Sequence, residues 1–286
     1  MPRLIINADD FGLTAGVNRA IVEANARGIV TSATLMANAG AFDDAVHSAK
    51  SSANLGVGCH IVLIDGAPVS NPSRIPTLLA PHDTHFENAL TSFASRALCG
   101  RIKSGDIETE VAAQIEKVRS AGISPSHVDT HKHAHIFPQI LKPLLRAAKA
   151  CGVRAVRNPF GRIALATVVR RPQLWKRYGE LMLLNPLASK FRGLIEAEGM
   201  ITPDGSLGVA ATGVLDEPLF HQILENLPDG TWEVVTHPGY NDSDLDHVRT
   251  RLRDSRETEL RLLTSPDLRD SLQRSGIELI SYRNLL

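Results

Sequence analysis

Cysteine is scarce in this chain of 286 residues, which carries only Cys59, Cys99 and Cys151. The three are odd in number, widely spaced and without a CxxC pair, which excludes a disulfide framework and a thiolate zinc knuckle. A reducing cytoplasm is the simplest compartment. Excess charge is lacking too: Lys plus Arg and Asp plus Glu number 31 each, which argues against a nucleic-acid partner held by overall charge. No apolar run approaches the ~20 residues that span a bilayer. The opening MPRLIINADD, a short apolar run ending in acids, has no signal-peptide core of useful length. What is present is an ordinary globular composition, 43% hydrophobic, long enough for one large α/β domain or two small ones.

The chain alternates strand and helix signals. Arg3 to Ala8 reads as a buried strand stopped by Asp9-Asp10-Phe11-Gly12, and Val17, Ala20, Ile21 and Ala24 then fall at helical spacing up to Gly28. Thr31 to Met36 and Leu55 to Leu63 read as strands, with a helix from Ala41 to Lys50 between them. Asp65 to Pro81 reads as a long loop. Helices are expected from Asp106 to Ala121, around Ile140 to Ala148, and from Val248 to Leu263. Further strands are expected at Ser126–Asp129, Arg154–Arg157, Trp232–Thr236 and Ile277–Ser281. This rhythm predicts an α/β chain built as a (β/α) barrel of parallel strands, complete or not. It is one domain over 1–286 with an insertion at about 161–215. From Arg162 to Arg192 that insertion holds seven basic residues and one acid, Glu180, interleaved with Trp175, Tyr178, Leu181 to Leu184 and Phe191.

Four polar clusters stand at or near the C-terminal ends of expected strands: Asp9-Asp10, His60, Asp129 with His131, His133 and His135, and His237-Pro-Gly. In a barrel of parallel strands those ends converge on one mouth, where active sites form. Two neutral imidazoles and a carboxylate make a three-ligand site for a divalent ion with positions open for water. A second carboxylate beside them can take the water's proton. Each cluster also has a plainer reading. Asp9-Asp10 can be a turn and helix cap, His60 a packed core histidine, and His237-Pro-Gly a turn. The alternation of His131, His133 and His135 would put all three on one face of an extended segment, a pattern that favours metal binding. Cys59 reads as a small buried apolar residue.

Asn7-Ala-Asp-Asp-Phe-Gly12, Val30-Thr-Ser, Gly56-Val-Gly-Cys-His60, Ser126-His-Val-Asp-Thr-His-Lys-His-Ala-His135 and His237-Pro-Gly together resemble the YdjC/ChbG family of carbohydrate deacetylases. The resemblance runs from residue 3 to about 160 and resumes near 230. It implies an irregular (β/α) barrel related to polysaccharide deacetylases, a divalent metal, and hydrolysis of an acetamido group on an amino sugar. By motif, it implies Asp10, His60 and His131 as metal ligands, Asp9 as general base and His237 as general acid. His127, Asp129, His133, His135 and Arg157 would orient these ligands or face the substrate. The metal would be zinc or magnesium, with manganese or cobalt as alternatives.

His60-Ile-Val-Leu-Ile-Asp-Gly-Ala-Pro-Val69, Ile75-Pro76, His131-Lys-His and Arg154-Ala-Val-Arg-Asn-Pro159 resemble the hopanoid-biosynthesis-associated branch of that family. In that branch the implied substrate is an N-acetylglucosaminyl group on a hopanoid lipid. Other members act on soluble chitooligosaccharides such as diacetylchitobiose. The basic, aromatic-rich insertion suits an anionic membrane interface, so the expected location is cytoplasmic with peripheral contact to the inner membrane. A lid or a homodimer contact is the plainer reading of that segment. Two rival classes remain open: a metal hydrolase of a non-sugar amide or ester, and a non-catalytic metal-dependent sugar-binding protein.

Overall fold

Leu4, Ile5 and Ile6 present apolar side chains to both faces of an extended chain. The strand they begin, β1 (Arg3–Phe11), is buried from Leu4 onward, as a parallel strand covered on both sides must be. The computed structural model describes residues 1–161 and 165–286. It continues with β2 (Ser32–Leu35), β3 (Gly56–Ile61), β4 (Val128–Thr130), β5 (Gly205–Leu207), β6 (Thr231–Thr236) and β7 (Glu278–Leu279). The ladders among these strands are parallel, in the order β4-β3-β2-β1-β6-β5, with β7 laid against the start of β1. Single bridges from Val128 to Val156 and from Ala155 to Ile201 carry the curl onward toward the segment that becomes β5. The result is an irregular, incompletely laddered (β/α) barrel, and the helices Ala15–Ala26, Phe42–Ser51, Ser104–Ser120, Pro138–Ala150, Glu217–Glu225 and Asp254–Leu263 surround it.

Three expected elements differ. The strand expected at Arg154–Arg157 is reduced to those two bridges, because Asn158-Pro159 follows at once and proline cannot extend a ladder. The helix expected from Val248 to Leu263 is confined to Asp254–Leu263, preceded by the short turn Ser243–Asp246. Val248 and Leu252 alone make too short an apolar stripe to bury a helix between them. The insertion expected at about 161–215 ends sooner, since Ile201 and β5 already belong to the barrel. The segment before them is an enlarged crossover, with helices Leu165–Val169, Trp175–Leu184 and Leu187–Glu198. The start of that expected insertion, 162–164, lies outside the described residues. Among the described residues no helix is long and apolar enough to cross a membrane.

Alternation on β1 sorts its side chains. Leu4, Ile6 and Ala8 join the large outer core beneath the helices. Ile5 instead packs inside the barrel with Ala155, Ile280 and Tyr282. Asn7 and Asp9 follow Ile5 on the inward face at two-residue steps. The lower interior is thus a small apolar plug, and the upper interior is polar. His127 lies flat on Tyr282 at 3.5 Å between ring centroids. Space for its ring comes from Gly58, where an added Cβ would sit 2.4 Å from the imidazole.

Gly58→Ala is therefore expected to displace His127 and Tyr282 and to destabilise the fold by about 1–3 kcal/mol. A denaturant-unfolding midpoint equal to that of the parent would show that the ring is not confined.

Candidate active site

Arg157 organises the upper interior. It is wholly buried and meets three carboxylates. Its Nη1 donates to Asp9 Oδ2 at 2.8 Å and its Nη2 to Asp9 Oδ1 at 2.6 Å. Nε and Nη2 donate to Glu233 Oε1 at 2.9 and 2.7 Å, and Nη1 also pairs with Asp129. Burial opposes ionisation of every member. For Asp9 and Asp129 the guanidinium outweighs that cost and holds both carboxyls below the ordinary range. For Glu233 burial wins and its pKa is raised, although Tyr282 Oη and Ser206 Oγ also donate to it, at 2.7 and 3.0 Å.

Asp129 passes the constraint to His60. Its Oδ1 lies 2.8 Å from His60 Nδ1, so Nδ1 carries the hydrogen and Nε2 is directed at the mouth. That carboxylate–imidazole pairing is how metal-binding histidines are oriented. His60 Nε2, Asp10 Oδ1 and His131 Nδ1 form a triangle with edges of 3.4, 3.5 and 3.7 Å. Ligand bonds of about 2.0–2.1 Å in a tetrahedral site would set neighbouring donors about 3.3–3.4 Å apart, so the triangle fits one face of such a site. Burial disfavours a charged imidazole at His60, but the Asp129 carboxylate prevails and raises it to about 9. Three ionised aspartates, Asp9, Asp10 and Asp129, thus face the guanidiniums of Arg157 and Arg256 and one imidazolium. A divalent ion would replace the imidazolium proton at Nε2. The donor set of two nitrogens and one oxygen suits a borderline divalent metal.

Adjacent residues of a strand point to opposite faces, yet both Asp9 and Asp10 line the same cavity. The reason is local. The β1–β2 register shifts between Ala8 and Phe11, and Asp10 has φ +66°. This re-aims Asp10 into the mouth, as a bulge does. Arg256 then divides its two oxygens, donating from Nη2 to Oδ2 at 2.5 Å while Oδ1 faces the histidines. From the same helix face, Glu259 Oε2 accepts the His237 backbone N–H at 2.6 Å. His237 Nε2 stands 3.8 Å from Asp9 Oδ2, and its Nδ1 has no hydrogen-bond partner among the described residues.

These residues floor a cavity of about 1120 Å³. Leu13, Met36, Phe137, Leu181 and Leu184 give it apolar walls, and Lys132, Arg249 and Arg251 add cations. Among the described residues, four of the five non-glycine positions with positive φ, namely Asp10, Asp65, Lys132 and His133, line it. Backbone strain is concentrated where a site would need it.

The structure brings together five of the residues singled out from the sequence: Asp9, Asp10, His60, His131 and His237. Asp129 and Arg157 lie directly beneath them, fully buried, so neither faces a substrate. The expected extended run of His131, His133 and His135 is instead a tight turn, because Lys132 and His133 adopt left-handed conformations. Only His131 and His133 reach the cavity. His135 is buried, with Nδ1 2.6 Å from Thr130 Oγ1 and Nε2 3.2 Å from the Arg157 carbonyl oxygen. His127 is in the plug and away from the cavity. Sequence reasoning missed Glu233, Arg256 and Glu259. Their one signal was position: an acid inside the apolar strand Trp232–Val235, and charges on the helix stripe that also holds Leu260 and Leu263.

Burial holds His127 down to about 3, and His135 and His237 down to about 4. An unfolded histidine titrates near 6.5. Between pH 6.5 and 4 the unfolded chain binds protons that these three refuse when folded, so stability falls as the pH drops. His133, held down to about 3 by burial, adds to this fall, while Glu259, raised to about 7 by burial, and the raised Glu233 and His60 oppose it without cancelling four lowered histidines. The urea midpoint of the metal-free protein should therefore fall from pH 6.5 to pH 4. A midpoint that holds or rises contradicts the neutral, buried state of these histidines.

The chain is similar to known proteins over nearly its whole length. The YdjC-like protein family matches residues 3–274. A carbohydrate deacetylase of Geobacillus stearothermophilus is 34% identical over 285 residues, covering 99% of this chain and 98% of the relative. A carbohydrate deacetylase of Brevibacillus brevis is 32% identical, covering 99% of both. A solved structure from Enterococcus faecalis V583, provisionally described as a cellobiose-phosphate cleavage protein, superposes with a TM-score of 0.78 at 25% identity, covering 99% of this chain and 98% of its own. The chain belongs to the YdjC-like family, and its relatives from Geobacillus stearothermophilus and Brevibacillus brevis are named carbohydrate deacetylases.

Proposed function

We propose that the protein is a metal-dependent hydrolase that removes the N-acetyl group from an amino sugar. The observation that carries this reading is the triangle of Asp10, His60 and His131 with Asp9 and His237 on its flank. Asp10, His60 and His131 would hold one divalent ion, zinc or magnesium first and manganese or cobalt as alternatives. Such an ion supplies Lewis-acid polarisation of the acyl oxygen and lowers the pKa of a water.

The chain's own residues supply the rest. Asp9, fixed through both oxygens by Arg157, accepts a proton from the water that attacks the acetamido carbon. The carbon–nitrogen bond then breaks, acetate forms, and the amine needs a proton. His237 is neutral at rest because burial holds it near 4, so the proton it delivers is the one Asp9 took, passed across the 3.8 Å between them. Asp129 keeps the tautomer of His60, and Arg256 keeps Asp10 turned to the histidines. His133, at the cavity wall, is placed to touch the sugar.

Two substrates meet this description. One is an N-acetylglucosaminyl group on a hopanoid lipid, favoured by the apolar walls and by the motifs around His60 and Arg157. The other is a soluble chitooligosaccharide such as diacetylchitobiose, favoured by the relatives' activity on carbohydrates. Acetate release from each, measured side by side with purified metal-loaded protein, separates them.

Asp9→Asn tests the chemistry. It should lower acetate release by at least about 10²-fold, as loss of a general base does, while the metal content stays at the parent level. Turnover close to the parent's excludes Asp9 as the base, and retained sugar affinity without any parent turnover would favour the binding-protein reading. Arg256→Gln should weaken metal affinity by about 10–100-fold in a chelator competition, the usual cost of losing a ligand's supporting contact. An unchanged affinity would show that Asp10 needs no such support.

A further inference from the structure

Among the described residues, the crossover helices hold most of the exposed large hydrophobic side chains. Among the described residues, five of the eight exposed large hydrophobics are Leu165, Val169, Trp175, Met182 and Leu183. Six of the ten residues of helix Trp175–Leu184 are apolar, yet none of the ten is buried. One stripe of this helix, Arg177, Leu181 and Leu184, walls the catalytic cavity. Trp175, Gly179 and Met182 form a separate stripe at helical spacing, and Leu183 is 82% exposed. A concentration of this kind marks an interaction surface.

Charge says what it meets. From 165 to 192 there are six basic residues, Arg170, Arg171, Lys176, Arg177, Lys190 and Arg192, and one acid, Glu180, in a chain with no net charge. Arg171 is engaged by Asp216 at 2.8 Å and Arg177 faces the cavity. Arg170, Lys176, Lys190 and Arg192 are exposed. A second copy of the chain would bring this cationic face against itself in a two-fold contact, so self-association is opposed. An anionic surface is favoured, and tryptophan and leucine beside cations are what the headgroup region accommodates.

We propose that this face docks on an anionic lipid bilayer, with Trp175, Met182 and Leu183 at headgroup level and Arg170 and Lys176 against lipid phosphates. The opposite stripe of the same helix walls the cavity, so docking leaves one helix thickness, about 10 Å, between the bilayer and the cavity wall. The docking stands on exposure and charge alone. Only its use, admitting a lipid-linked amino sugar, rests on the deacetylase reading.

The chain carries its own probe. Of its two tryptophans, Trp175 is 57% exposed and Trp232 is 9% exposed. Flotation and tryptophan emission are compared on vesicles of phosphatidylcholine alone and of phosphatidylcholine with phosphatidylglycerol. Flotation and a blue shift are expected on the anionic vesicles only. Arg170→Gln and Lys176→Gln should each weaken partitioning about fivefold, the worth of one basic residue near such a surface. Leu183→Ser should reduce the blue shift, and all three variants should keep the parent's unfolding midpoint and its turnover of whichever soluble substrate it accepts. Absence of flotation at low salt, equal flotation on neutral vesicles, or a dimer that Leu183→Ser dissolves would overturn the proposal. None of these outcomes depends on whether acetate is released.

Discussion

Everything above the apolar plug depends on one buried cation. Arg157 sits where three strands converge and satisfies Asp9, Asp129 and Glu233 at once. Each carboxylate would be costly to bury alone, and removing one partner of such a cluster leaves uncompensated charge costing about 3–5 kcal/mol. The guanidinium therefore does more than balance charge. Its planar fork fixes the rotamer of Asp9 through both oxygens, and its hold on Asp129 leaves the other Asp129 oxygen to orient His60. The positions of the proposed base and of one proposed metal ligand are set by a single side chain that never touches solvent.

A second support comes from outside the barrel. Helix Asp254–Leu263 sends Arg256 to Asp10 and Glu259 to the backbone of His237. Its residues three apart reach one side of the mouth, while Arg157 works from below. Asp10 is held at a positive φ, a conformation that costs some backbone energy in a non-glycine residue and that the surrounding contacts hold in place. Bulge, left-handed residue and guanidinium together turn a tandem pair of acids, which a regular strand would split between two faces, into two groups sharing one pocket.

Much of this was legible in the sequence, for identifiable reasons. Buried parallel strands read as short apolar runs, so β1, β2, β3 and β6 were recoverable to within a few residues. Asp9, Asp10, His60, His131 and His237 were recoverable because polar residues that end such runs must converge. The turn at His131–Ile136 was not, because alternating histidines mimic a strand and nothing in the spacing reveals that Lys132 and His133 turn left-handed. Arg256 and Glu259 were hidden for a different cause. Charged residues in a helix ordinarily mark its solvent face, and only the three-dimensional closeness of Asp10 and His237 makes their burial affordable. The crossover from 165 to 198 carried its charge pattern openly, but its end at Ile201 depends on a one-residue bridge that no local pattern signals.

The account turns on a single divalent ion held by Asp10, His60 and His131. The most direct measurement strips the protein of metal and follows acetate release from an N-acetylated amino sugar as zinc, or magnesium in a parallel series, is returned in measured amounts. The account predicts no release without metal and a rise that levels at one ion per chain. Release by the stripped protein, or a rise that levels only at two ions, would contradict it.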